Sequence, residues 1–346
     1  MEQLSFVNPK IARIPSADRE ALRILLVAKH VFWEGGLHGE DGNHAIYHVE
    51  MRDLLRELFP NLRLANSYTA LFEDPQCDFV FPLLNRGGFL NSEMLLPLLA
   101  TRQGLPFLGA SPILRGIGDD KHASKLEAKV RGIPTLPWGI FRRGAPIDER
   151  ECPKGDRLVV KPNASSASWG VRDAGTWAET KQAIEEIQDE GHDVIVEPFV
   201  SGHDIEVPVI HSGDRPARLP LLLFEQSDPE HLRSYQEKRE LVDQQSAYRL
   251  LPFRDEEKEE TVTAYARRMA DVFFPFDYGR FEFRFDAETG DIWFLEVNLN
   301  CNLWSQKVFG QTAKLLGWTH ADMIETILCE SLARQGLVEQ PERAMA

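Results

Sequence analysis

Residues 279–300 read GRFEFRFDAETGDIWFLEVNLN. Two apolar arms flank a polar turn, which is the pattern of a β-hairpin. The first arm alternates Arg280, Glu282 and Arg284 against Phe281, Phe283 and Phe285. The second alternates Phe294, Glu296 and Asn298 against Leu295, Val297 and Leu299. A five-residue loop over 287–291 would pair 286 with 292, and hence 282 with 296. Strand side chains alternate faces, so Glu282, Glu296 and Asn298 would share one surface. Like charges directly opposite each other repel. A cation removes that repulsion, and two carboxylates with an amide oxygen form a hard oxygen site suited to Mg²⁺. A solvated polar face, with Arg280 and Arg284 neutralising the acids, is the competing reading of the same pattern.

The chain around this hairpin has 346 residues, enough for two or three domains. Hydrophobic residues make up 43% and charged residues 27%, a globular balance without any apolar run long enough to span a membrane. The N-terminus lacks the basic start and apolar core of a signal peptide. Four cysteines, Cys77, Cys152, Cys301 and Cys329, lie far apart without CxxC spacing. A reduced, cytoplasmic protein is expected, with no membrane partner. The formal net charge of −15 argues against nucleic acid.

Upstream, "RILLVAKHV" (23–31) and "CDFVFPLL" (77–84) read as strands, and "LPFLGAS" (105–111) as a shorter one. With the helical stripe Ile46, Val49, Leu54, Leu58 they predict a small parallel α/β domain over 1–117. A second unit over 118–198 opens with "DDKHASKLEAKVRGIP", a helix capped by Asp119 or Asp120, with apolar residues at 123, 126 and 130 and a stop at Gly132. "RLVVKPN" and "DVIVEPFV" read as buried strands. The helix between them has a capping box, Thr176-x-x-Glu179. The third unit, 199–346, holds the hairpin and a helix with an acidic first turn, "EEKEETVTAYARRMADVFF".

Two further stretches carry chemistry. In "LVVKPNASSASWGV" (158–171), Lys161 ends a strand and a Ser-rich loop follows, which can cradle phosphates or be a plain flexible turn. In "VIVEPFVSGHDIEV" (194–207), Glu197 ends a buried strand and Asp204 follows a Gly turn. Such acids can meet an adenine and a ribose, or lie exposed at a strand end.

In order, DK-(helix)-GIP, VVKP, VEPF-x-x-G, R-x-E and LEVN resemble the ATP-grasp superfamily, most closely the D-alanine–D-alanine ligase branch of carboxylate–amine ligases. The specific resemblance covers about residues 118–310. It implies an α/β and α+β architecture: an ATP-grasp fold behind an N-terminal, Rossmann-like pre-ATP-grasp domain. It further implies that Lys121 and Lys161 hold the ATP phosphates, that Ser168 and Gly170 belong to a loop covering them, and that Glu197, Phe199 and Val200 belong to the adenine hinge. Asp204 matches the ribose acid and Lys238 a lysine near the γ-phosphate. Glu282, Glu296 and Asn298 match ligands of two Mg²⁺ ions, with Mn²⁺ a possible substitute. Arg280 matches the arginine that steadies an acyl phosphate. Small-molecule carboxylate and amine substrates follow from the resemblance, and a homodimer is a family expectation.

The sequence departs from that branch on the substrate side. Asn85, in "LLNRGGFLNSE", stands where a His is expected, and Ala167 where a substrate-placing Ser is expected. Trp169 replaces a small apolar residue. After the metal-binding Asn, the branch continues Thr-x-Pro-Gly, whose Gly N–H helps form an oxyanion hole. This chain continues Leu299-Asn300-Cys301-Asn302, and Lys307 stands in place of a Ser that helps hold the acceptor carboxylate. An ATP-dependent ligase acting on amino-acid-like substrates other than two D-alanines is therefore expected. An ATP-grasp phosphotransferase and a non-catalytic nucleotide-binding regulator are the alternatives.

The loop "EGGLHGEDGNHAIYH" (34–48) offers Glu34, Glu40 or Asp41 as a contact for a substrate amine, and Asn302, in the segment where the branch begins its acceptor pocket, is a further candidate substrate residue. A metal held by His38 and His44 is a second use of the loop, and a polar loop capped at Asn43 is the plainest. Cys301 has no paired base visible in sequence, so an incidental small residue is preferred to a nucleophile.

Overall fold

The computed structural model describes residues 4–84, 92–286, 288–339 and 342–344. Strands Ile24–Val27, Arg63–Ala65 and Phe79–Pro82 pair in parallel, with Ile24–Val27 in the centre. Helix His44–Leu58 buries Tyr47, Met51 and Leu55 in the core on which Leu26, Phe79 and Phe81 also pack. Two local readings change here. "LPFLGAS" contributes only an isolated parallel bridge, Val80 to Phe107. Strand Arg63–Ala65 was not anticipated, because it is three residues long with an exposed Arg at its start.

The small antiparallel sheet has Val194–Pro198 paired to both Gly139–Phe141 and Leu158–Pro162, with Arg172–Ala174 at the edge. Helix Trp177–Asp189 starts at the expected capping box and covers this sheet through Ala183, Ile184 and Ile187.

Helix Lys121–Val130 is capped by Asp120, whose side chain accepts the Ala123 N–H at 2.8 Å. Its buried face is not the apolar one. Lys121, Ser124, Lys125 and Ala128 point inward, while Leu126 and Val130 are exposed. Of the apolar residues at 123, 126 and 130, Ala123 is half-buried and the other two face outward. Buried carboxylates and carbonyls overrule the hydrophobic stripe, for reasons the site makes plain.

The large sheet is antiparallel throughout. Its order is Tyr248–Pro252, Leu222–Gln226, Gly202–Ser212, Tyr278–Asp286, Ile292–Asn298, and Arg215–Arg218 also pairs with the central strand. One face carries Phe281, Phe283, Phe294, Val207 and Val297, packed with Val262, Ala266, Met269 and Phe273 of helix Glu256–Phe273. The other face is polar.

The hairpin differs from expectation at its tip. Phe285 pairs with Ile292 and Phe283 with Phe294, yet Glu282 still pairs with Glu296. One extra residue, Leu295, is absorbed as a β-bulge between those pairs. The bulge puts Phe294 on the core face, opposite to Glu296, although strict alternation would have placed the two together. The ring of Phe294 meets that of Phe283 edge-on, with centroids 5.7 Å apart. Phe294→Ala should cost about 3–5 kcal/mol, the usual range for emptying a well-packed aromatic site, read as a lower midpoint in urea unfolding.

Candidate active site

A cavity of about 370 Å³ lies between the polar face of the large sheet and the small sheet. Its floor is set by strand register. Glu206 on Gly202–Ser212 pairs with Glu282, and Glu282 pairs with Glu296. Three glutamates thus stand abreast on three adjacent strands. Two residues along, Arg280 sits between Pro208 and Asn298, and in the other direction Arg284 lies opposite Asp204.

Three carboxylates in a row need positive charge. Arg280 supplies part of it, with Nε 2.7 Å from Glu206 Oε2 and Nη2 2.6 Å from Glu282 Oε1. Lys121 reaches Glu296 at 3.0 Å and donates to the Ser165 carbonyl at 2.9 Å. The supply is uneven. Burial and the neighbouring Glu282 push Glu206 well above the usual carboxylate range, even against Arg280. Burial pushes Glu282 upward too, with Glu296 adding to it. Glu296 goes the other way: burial would raise it, but Lys121 and Lys161 bring it down to about 2. Burial therefore disfavours the charged form of two of the three carboxylates, a cost that a cation on this face would relieve. Glu282, Glu296 and Asn298 all line the cavity, so the donor set fits a divalent ion.

Above the row, Glu197 is buried between two lysines, at 2.5 Å from Lys125 Nζ and 2.5 Å from Lys161 Nζ. Burial would raise its pKa, but the two ammonium groups lower it to about 2. This excludes the reading of Glu197 as an acid simply exposed at a strand end. Its carboxylate is engaged with the lysines, and Pro198, Phe199 and Val200 follow it along the cavity wall. Arg284 donates to the Val200 carbonyl at 2.9 Å and pairs with Asp204 at 3.0 Å. The Arg157 guanidinium stacks on the Phe199 ring at 3.9 Å. Lys238 is half-buried, and its desolvation lowers its pKa against the pull of Asp204 and Glu282. In the Ser-rich loop, Ala167 and Ser168 adopt left-handed backbone (φ 55° and 58°). Gly170 (φ 72°) packs so near Pro162 that a Cβ would lie 2.6 Å from its Cγ. Ser168 lines the cavity and Gly170 does not.

The residues beyond Asn298 also have partners. Asn300 N donates to Asn298 Oδ1 at 3.1 Å, and Tyr278 Oη donates to Asn300 Oδ1 at 3.3 Å. Asn302 lines the cavity while its Oδ1 accepts the Trp304 N–H at 2.7 Å. Glu50 fixes the next turn by accepting from Trp304 Nε1, Ser305 N and Ser305 Oγ. Burial pushes the Cys301 thiol up to about 12, so it is no nucleophile at neutral pH.

The 34–44 loop is used differently from expectation. Glu34 and Glu40 are exposed and do not line the cavity. Asp41 is taken up by Lys29 and by His30, whose Nε2 lies at 2.6 Å. The residues that reach the cavity are Asn43 and His44. His38 stands with His30 and Asp41, not with His44 as a shared ligand set: potential ligand atoms of His30, His38 and Asp41 lie within 4.8 Å of one another. Asn85 is outside the described residues.

Against this geometry, a family profile described as "D-ala D-ala ligase C-terminus" matches residues 128–329, more than half of the chain. The chain belongs to the D-alanine–D-alanine ligase family. It is an ATP-dependent carboxylate–amine ligase of that type, and the family uses ATP with divalent metal. A D-alanine–D-alanine ligase of Marinomonas sp. is 28% identical over 224 residues, covering 65% of this chain and 68% of that protein. An uncharacterized protein, y4sG of Sinorhizobium fredii, is 28% identical over 239 residues, covering 67% and 68%. The structure of the Bacillus anthracis ligase complexed with ATP superposes with a TM-score of 0.69 at 18% identity, over 91% of this chain and 98% of that one. The fold of the ligase is thus the ATP-grasp fold expected from its motifs. No helix among the described residues is long and apolar enough to cross a membrane.

Sequence reasoning missed two residues of this ligase's site. Lys125 was signalled by its i, i+4 spacing from Lys121 on one helix, which puts both ammonium groups on one face. Glu206 was signalled by the period-two run Asp204, Glu206 against Ile205, Val207. Lys125 is fully buried, and its Nζ also donates to the Phe294 carbonyl at 3.2 Å. Lys125→Met should lower stability by about 3 kcal/mol, because Glu197 and that carbonyl lose a buried partner. Calorimetric melting checks it.

Proposed function

We propose that this ligase activates an amino-acid-like carboxylate as an acyl phosphate and joins it to an amine, and that its substrates are not two D-alanines. One observation carries the reading: a single cavity gathers Lys121, Lys161, Lys238 and Arg280 beside Glu282, Glu296 and Asn298. We place ATP between the unit of residues 118–198 and that of residues 199–346. Lys121, Lys161 and Lys238 hold its phosphates, the 198–200 backbone with Phe199 and Val200 receives the adenine, and Asp204 the ribose. Glu197 acts by aiming Lys125 and Lys161. Ser168 and Gly170 belong to the loop that closes over the phosphates and keeps water from the acyl phosphate.

Glu282, Glu296 and Asn298 would hold two Mg²⁺ ions, with Mn²⁺ as a substitute. When bound, such ions neutralise charge on the phosphoryl group being transferred. The substrate carboxylate attacks the γ-phosphorus, an acyl phosphate forms and ADP leaves. Two anions meet in that step, so Lys161, Lys238 and Arg280 lower its barrier by sitting where charge accumulates. The amine then attacks the acyl carbon, phosphate departs, and the products are an amide, ADP and phosphate.

The departure from D-alanine rests on the substrate side of the cavity. Ala167, the Leu299–Asn302 segment and Lys307 replace the residues expected there. Lys307 Nζ lies 3.2 Å from Tyr248 Oη. The test is a screen of acid and amine pairs for ADP release with product analysis. A dehydrated conjugate with free phosphate supports the ligase; a released phosphoester in its place means a phosphotransferase, and efficient turnover of D-alanine alone refutes the substrate claim.

Two variants examine the metal face. Glu296→Ala should abolish acid-dependent ADP release while circular dichroism stays that of the wild type. Glu282→Gln should also lose turnover, yet should melt higher than the metal-free wild type at pH 8. A carboxyl whose pKa is raised by folding destabilises the fold above that pKa, and the variant removes that cost. The gain should fade as pH falls toward 4.5, where the wild-type carboxyl regains its proton in both states.

A further inference from the structure

We propose that Asn43, His44 and Arg239 form a recognition site for a carboxylate that takes no part in the reaction, so that one of the two joined substrates carries a spare carboxylate. The proposal rests on the ligase reading above. It concerns the part of the cavity wall to which these three side chains belong, next to Lys238.

Buried polar atoms are usually paired, and leaving one unpaired costs roughly 1–3 kcal/mol. In this corner three are unpaired together: Asn43 Nδ2, His44 Nδ1 and Arg239 Nε are buried without a hydrogen-bond partner. Asn43 as a whole is only 4% exposed. Two of the three atoms, an amide and a guanidinium nitrogen, are donors. Among the described residues no carboxylate pairs with Arg239, whose guanidinium instead lies 5.3 Å from the Tyr235 ring centroid. Arg280 and Arg284, which also line the cavity, are by contrast already committed, to Glu206 and Glu282 and to Asp204.

The corner is built firmly enough to recognise a ligand. Asn43 N donates to the Arg239 carbonyl at 3.0 Å. Gly42, at φ +54°, approaches so closely that a Cβ there would lie 1.7 Å from the same oxygen. Two loops far apart in sequence therefore meet backbone to backbone. On the Arg239 side, helix Tyr235–Lys238 starts at a capping box between Ser234 and Glu237. The Glu237 carboxylate also accepts from Gln245 N at 2.9 Å and lies 2.9 Å from His231 Nε2. Glu240, next to Arg239, holds a left-handed backbone (φ 57°), a conformation kept only where surroundings impose it. On the other side, His44 and His48 rings lie 4.4 Å apart.

The charge suits a monoanion. Burial, with His48 and Arg239 nearby, keeps His44 neutral, and burial likewise lowers His48 to about 3. Arg239 is then the lone charge among the three residues. A planar guanidinium fork beside an amide donor matches a carboxylate, and His44 Nδ1 offers a further neutral contact.

The test compares substrates that carry a spare carboxylate with the same molecules bearing a primary amide in its place. In the wild type, kcat/KM for ADP release should favour the free carboxylate at least tenfold. Arg239→Gln should erase that preference, mainly through KM, while the melting shift given by ADP with Mg²⁺ stays as in the wild type. Asn43→Ala should weaken the preference several-fold. Equal use of acid and amide by the wild type, or a preference kept in Arg239→Gln, overturns the proposal. Should no acid–amine pair release ADP, the ligase reading has failed, and the site is then judged by binding: small dicarboxylates should raise the melting temperature of the wild type with ADP and Mg²⁺, and not that of Arg239→Gln. No shift in the wild type overturns it.

Discussion

Three glutamates side by side on adjacent strands are the constraint around which this ligase is arranged. Glu206, Glu282 and Glu296 repel one another at strand spacing, inside a cavity that weakens solvent screening. Everything charged nearby answers to that row. Arg280 bridges two of the acids, Lys121 reaches the third across from another part of the chain, and Lys161 contributes at longer range. The burial of Lys121 and Lys125 on a helix whose Leu126 and Val130 face outward is the same fact seen from the helix. Its amphipathic face is ionic, and the cost of burying the ammonium groups is offset by Glu296 and Glu197.

The arrangement also prepares the phosphate end before nucleotide arrives. Glu197 holds Lys125 and Lys161 at equal distance, so if Lys161 receives a phosphate, as proposed, it would not search rotamers when ATP enters. Electrostatic stabilisation of phosphoryl transfer is strongest when the charges need no rearrangement. Lys161 lines the cavity and Lys125 does not, so in the proposed reading Lys125 would orient and Lys161 contact, a division of labour set by depth.

Much of this was legible in the chain. Period-two alternation placed Arg280, Glu282 and Arg284 on one face, and the ordered motifs identified the family and the fold. What escaped notice has physical causes. Alternation cannot show a bulge, so Phe294 was placed on the wrong face until Leu295 was seen to be the extra residue. Hydrophobic periodicity cannot show an ionic core, so the apolar residues at 126 and 130 give no hint that Lys125 is the one that points inward. The Asn43–Arg239 corner joins residues nearly two hundred positions apart, and no local pattern reports such a meeting. Glu34 and Glu40 were favoured because acids attract attention in sequence, whereas the loop delivers its neutral residues to the cavity.

The backbone contact between Gly42–Asn43 and Arg239 has a consequence for how such enzymes diversify. The two loops share one hydrogen bond and one close approach, so neither can be remodelled without the other. The strands that carry the glutamate row take no part in that contact. Substrate choice would then be inherited as a linked pair of surface segments, exchangeable as a cassette above an unchanged phosphoryl-transfer floor.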